Sequence, residues 1–155
     1  MLAEAKIEAQ PCSNLPYLIA ELENGAGFAM VTEEALLGAD LRSLSAFLER
    51  QPEWSDFQFI LLTFRGGGLE RNPSARRFLD ALGNVAFLER PFHPTTLVSL
   101  AQAALRSRRR QYEARAKLIA LREAEEELRL ALSAGKLGAW TLDVPGRRLM
   151  ASPQC

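Results

Sequence analysis

The chain is short of the residues that most often announce a chemistry. It has one histidine and two cysteines. His93 has no second His or Cys near it in sequence to build a metal site, and one His supports neither a Ser/His/Asp nor a Cys/His set. Cys12 and Cys155 stand at opposite ends and describe no disulfide framework, so a reducing, cytoplasmic setting is expected. There is no surplus of charge either. The 19 Lys+Arg equal the 19 Asp+Glu, which excludes the basic excess of a dedicated nucleic-acid binder. No apolar run approaches the ~18 residues of a membrane span, and the first residues show no charged segment leading into an apolar one, as a secretory signal requires. Disorder is excluded by the opposite token: 48% of the residues are hydrophobic at zero net charge.

What is present alternates between strand-like and helix-like segments as far as residue 105. Ile7 to Cys12 is a short possible strand, interrupted by Pro11. Asn14 is placed to cap a helix running to Leu22, with Leu15, Leu18, Ile19 and Leu22 on one face, stopped by Gly25 and Gly27. Phe28-Ala29-Met30-Val31 is apolar on both faces and predicts a strand buried on both. Asp40 is placed to cap the next helix, which carries Leu41, Leu44, Phe47 and Leu48 and ends near Pro52. Phe57 to Thr63 is the strongest strand in the sequence. Gly66-Gly67-Gly68 reads as a loop. It lacks the Gly-Lys-Ser/Thr ending of a phosphate-binding loop and the spacing of a dinucleotide fingerprint. Asn72-Pro73 predicts a helix start and Gly83 its end. Val85 to Leu88 is a third buried-type strand, and Thr95 or Thr96 begins the next helix beyond Pro91 and Pro94. Strands and helices in alternation, joined by short connections, imply βαβ units: an α/β fold with a parallel sheet between helices.

The last helix continues past the domain. Positions 97, 100, 104, 107, 111, 114, 118, 121, 125, 128 and 132 follow steps of three and four over about five heptads, a coiled-coil seam with a polar or small middle. At ~1.5 Å per residue such a helix extends on the order of 54 Å. It must cover its stripe on something, most simply its own copy in parallel, with Leu118, Leu121, Leu128 and Leu132 as the dimer seam. Arg106, Arg108, Arg109 and Arg110, followed by Glu113, Glu123, Glu125, Glu126 and Glu127, read as a solvated flank of that coil. Gly135 and Gly138 end the helix. Trp140 to Val144 and Arg148 to Ala151 then predict a hairpin around Pro145-Gly146, too small to be stable alone. Trp54 and Trp140 are expected to be packing residues.

Phe28-Ala29-Met30-Val31-Thr32, Phe59-Ile60-Leu61-Leu62-Thr63 and Phe87-Leu88-Glu89-Arg90-Pro91-Phe92 resemble the third, fourth and fifth strands of a receiver domain, the flavodoxin-like phosphoacceptor module of two-component signalling. On that resemblance residues 1–105 are a receiver-like domain entered part-way, without the family's first strand and its acidic pair. Residues 106–134 are then a coiled-coil signalling helix. Residues 129 to 155, which include Leu132 to Asp143, resemble the entry to a PAS sensor domain, so that 135–155 is the beginning of one. The order of parts resembles the N-terminal portion of a bacterial PAS-containing sensor histidine kinase. It implies a chain cut at both ends, with two strand edges left open and poor solubility when expressed alone.

The resemblance implies a definite pocket. A receiver uses an aspartate at the end of its third strand as nucleophile, acidic residues after the first to hold Mg²⁺, a Thr or Ser after the fourth and a Lys after the fifth. This chain has Thr32 followed by Glu33 at the first of these positions. Thr63 keeps the hydroxyl, and Arg90 followed by Pro91 replaces the lysine. A threonine offers no carboxylate for an acyl phosphate, so the pocket is expected to be degenerate, with no catalytic residue and no metal or cofactor. The function implied is a protein-interaction and dimerisation module of a signalling protein, partnered by its own copy, by other signalling domains or by a kinase core. The alternative is an active phosphoacceptor using Glu33 and Mg²⁺.

Overall fold

The computed structural model describes residues 1–64, 73–134, 140–143 and 145–151. Asn14 caps as its side chain suggests: its Oδ1 accepts from Tyr17 N at 2.8 Å and opens α1 (Leu15–Glu23). Leu22 is buried there, and Leu15, Leu18 and Ile19 pack against the same core. The segment before it is not a strand. Ile7 to Cys12 runs without regular structure. Pro11 removes a donor, and Glu8, Ala9 and Gln10 are exposed. Ile7 alone is buried, held by its N–H to Leu2 O at 3.0 Å.

Three strands, β1 (Ala29–Thr32), β2 (Phe59–Thr63) and β3 (Val85–Glu89), form one parallel sheet in the order β1-β2-β3. Val31 pairs with Leu61, and Leu61 with Phe87. The crossovers run through α2 (Glu33–Leu36) and α3 (Arg42–Glu49), then through α4 (Pro73–Leu82). Every residue of β2 is buried, because it is central and its alternating side chains feed two cores. Phe59 and Leu61 join Leu22, Leu36, Leu44, Phe78 and Leu82 on one face. Ile60 and Leu62 join Ile7, Leu88, Leu97 and Ala101 on the other.

The edge strands depart from the pattern of burial on both faces. Met30 of β1 is 42% exposed, and β3 buries only Leu88. An edge strand lacks a neighbour on one side, so its hydrophobicity alone cannot secure cover. Asp40 also departs slightly: the N-cap of α3 is Leu41, while Asp40 Oδ1 accepts from Arg42 N at 3.1 Å. Gly83 ends α4 as expected. Its φ of 71 lies in the left-handed region, and its N–H reaches Leu79 O at 2.8 Å.

The last helix of the fold, α5 (Pro94–Ala134), is continuous, and His93 helps start it through Nδ1, which accepts from Thr95 N at 3.3 Å. Leu97, Ala101 and Ala104 are buried against the sheet's second core or beside it. The upper part of the expected seam is therefore turned inward rather than toward a second copy. The chain divides into two compact units, Met1–Glu113 and Ala114–Cys155. The first extends past the boundary expected near 105. The second contains the hairpin of β4 (Trp140–Asp143) and β5 (Arg148–Ala151), with Leu142 opposite Leu149 and Asp143 opposite Arg148. The Gly66-Gly67-Gly68 loop, the Asn72 cap, Gly135, Gly138, Val144 and Cys155 lie outside the described residues, as does the side chain of Trp140. Among the described residues no helix is long and apolar enough to cross a membrane.

Candidate functional site

In a parallel sheet all strands deliver their last residues to the same edge, where ligands of such folds gather. Here that edge holds Thr32, Thr63 and the residues after Glu89. Thr32 is extended and acts as the N-cap of α2, its Oγ1 accepting from Ala35 N at 3.3 Å. This helix was not anticipated from the sequence, although Thr32 followed by two glutamates is an N-terminal signature. Starting a helix at Glu33 changes where that side chain goes. Continued as a strand, it would alternate away from Thr32's face; as the first helical residue it turns inward, is 6% exposed, and its Oε2 accepts from Phe64 N at 3.4 Å.

Thr63 is buried, and its carbonyl accepts from Arg90 N at 2.9 Å and Arg90 Nε at 3.4 Å. The Arg90 guanidinium forms an ion pair with Glu34 and lies 4.6 Å from the centre of the Phe64 ring. The peptide between Arg90 and Pro91 is cis. Thr32, Glu33, Thr63 and Arg90 are thus brought to one lip, with Pro91 exposed beside it. Glu34 and Phe64, which complete the lip, were missed. Each follows a residue already singled out, and the opposite charges of Glu34 and Arg90, just past the ends of the two strands that flank β2, were the available signal.

Chemically the lip is self-satisfied. The hydroxyl that occupies the expected nucleophile position accepts a backbone N–H, and the cation that replaces lysine holds a carboxylate of its own chain. An incoming phosphoryl group would meet the negative charge of Glu34 and would have to draw Arg90 away. Among the described residues no group of three His, Cys, Asp or Glu side chains is placed to hold a metal ion.

The hydrogen bond from Arg90 holds the Glu34 carboxyl below its ordinary range, and Arg42 holds that of Asp40 down to about 2. A carboxyl lowered by folding adds stability that is complete above its unfolded-chain pKa and disappears as pH falls through the folded one. The stability lost in Glu34→Gln is therefore expected to be largest near neutral pH and to vanish in acid. Urea titrations of both chains across that range measure it. Since the pair is exposed, the difference is expected to be small.

A second cluster lies where the chain enters β2. Arg108 belongs to the basic run read as a solvated flank, yet it is partly buried. Its Nη1 donates to Ser55 Oγ at 2.7 Å and Gln111 Oε1 at 2.9 Å, and its Nη2 to Tyr112 Oη at 3.3 Å. Its guanidinium carbon is 5.5, 5.4 and 4.8 Å from the rings of Trp54, Phe57 and Tyr112. Gln111 adds two bonds to the Asp56 backbone, from Nε2 to O at 2.8 Å and from N to Oε1 at 3.1 Å. Together these fasten α5 to the residues that lead into β2. Trp54 is the packing residue expected, 5.4 Å from the Tyr112 ring.

Beyond Glu113 the remaining seam positions are largely open: Leu118, Leu121 and Leu128 are exposed and Leu132 is half-buried. Compared with protein-family models, with curated proteins and with solved structures, the chain matches none.

Proposed function

We propose that this chain is the regulatory N-terminal portion of a two-component signalling protein, a PAS-type sensor histidine kinase working in the cytoplasm. Its first 105 residues act as a degenerate, flavodoxin-like receiver that docks other signalling domains. The observation that carries this reading is the lip at the carboxyl ends of β1, β2 and β3. Thr32 serves there as a helix cap, and Arg90 is engaged by Glu34. The sheet order supports it as well, since the third, fourth and fifth strands of the flavodoxin-like order 2-1-3-4-5 are consecutive neighbours. State at the lip passes along α5 toward a PAS domain and a kinase core, by rotation or register shift of a paired helix. On the leucine positions alone, the simplest occupant of the exposed seam is a second copy.

The competing reading, an active phosphoacceptor, is favoured by one feature: the inward carboxylate of Glu33 beside the Phe64 N–H. Intact mass after incubation with acetyl phosphate and Mg²⁺ separates the two. The degenerate receiver is expected to gain no phosphoryl group. A covalent phosphoryl adduct that disappears in Glu33→Gln would establish the phosphoacceptor instead.

A further inference from the structure

The distal half of α5 displays a pattern that the leucines alone do not exhaust. From Ala114 to Ala134 its seam residues Leu118, Leu121 and Leu128 are 49%, 65% and 61% exposed. In heptad terms Leu118, Glu125 and Leu132 take position a, and Ala114, Leu121 and Leu128 take position d. The flanking e positions are Arg115, Arg122 and Arg129, and the g positions begin with Lys117, followed by Ala124 and Ala131. Glu123, Glu126 and Glu127 fall at f, b and c, on the outer side of the helix. The stripe is therefore bordered by cations along its e side and by Lys117 at the start of its g side, while every acid except Glu125 is turned away from it. Arg129 has an ion pair with Glu126 at 2.6 Å, but both side chains are largely exposed and such pairs are weak.

This arrangement is poorly matched to itself. In a parallel pair, g of one helix faces e of the next heptad on the other, which sets Lys117 against Arg122, and a faces a, which sets Glu125 against Glu125. In an antiparallel pair e faces e, which sets Arg122 against Arg122 or Arg115 against Arg129. Like charges placed directly across a helical interface destabilise it and select against that partner. The complement is a helix with an apolar seam, Glu or Asp at its flanks, and a basic residue opposite Glu125.

We propose that residues 114–134 dock on an acid-flanked amphipathic helix of another polypeptide and not on a second copy of this chain. The inference rests on the helix alone; it is independent of the receiver reading, and it replaces the second copy as the occupant of the seam once the flanking charges are counted with the leucines. The probe is a fluorescent synthetic helix with Leu at a and d, Glu at e and g, and Lys at the single a position facing Glu125. Its control carries Lys at e and g. Anisotropy with the full chain is expected to show the acidic peptide binding at least about tenfold tighter. Arg115→Glu, Arg122→Glu and Arg129→Glu together should reverse that preference with helix content unchanged by circular dichroism. Sedimentation of the chain alone at tens of micromolar should give a monomer. Equal binding of the two peptides, binding of neither, or a stable dimer of the chain alone would each overturn the proposal.

Discussion

Phe59→Ala is expected to destabilise the first unit by about 3–5 kcal/mol, the upper range for truncating a buried side chain. Phe59 is fully buried at the start of the central strand and meets Phe57 edge-on at 5.2 Å between ring centres. It also pairs in register with both Ala29 and Val85, so the cavity opens where sheet and helices meet and no single element can move to close it. A loss of that size takes a large share of the total stability of a small domain, typically about 5–15 kcal/mol. Urea unfolding followed by far-ultraviolet circular dichroism measures it as a shift of midpoint. Phe59→Leu leaves a smaller cavity and should fall between wild type and alanine. A midpoint unchanged in Phe59→Ala would mean that the core is built differently.

Arg108→Ala is expected to cost about 2–3 kcal/mol, from lost charge-assisted hydrogen bonds and cation–π contacts. The guanidinium bridges Ser55 to Gln111 and Tyr112, and three aromatic rings surround it. Its removal leaves those polar atoms with fewer partners and opens a space between rings that alanine cannot fill. The position also predicts where the loss is felt. Backbone hydrogen exchange should rise first in α5 between residues 104 and 113 and in residues 52–57, ahead of the sheet. Arg109→Ala is the control: Arg109 is exposed, and a surface substitution of this kind should stay within about 0.5 kcal/mol. Equal effects at 108 and 109 would dismiss Arg108 as the fastener of α5.

The two predictions differ in how far the sequence announces them. Phe59 is legible in advance, because a run of apolar, β-favouring residues between turn signals specifies a buried strand whatever the rest of the chain does. Arg108 is not. It sits among Arg106, Arg109 and Arg110 with nothing local to single it out, and only the approach of residues 54–57, some fifty positions earlier, distinguishes it. The lip divides the same way. Thr32, Glu33, Thr63 and Arg90 could be named from strand ends, but the inward turn of Glu33 depended on a four-residue helix, capped by Thr32, that was not anticipated from the sequence.

The sequence by itself determined the three parallel strands and the longer helices in their order, the caps at Asn14 and Gly83, and the continuous helix to Ala134, but not the irregular course of Ile7–Cys12 or the short helix α2. The features it determined follow from periodicity and backbone chemistry, which act over a few residues. Tertiary structure alone decided that Met30 is uncovered and that the upper seam of α5 is turned toward its own domain. It also decided that Arg90 is held by Glu34. Cover, docking and charge pairing depend on which distant segments come together, and no local pattern encodes that.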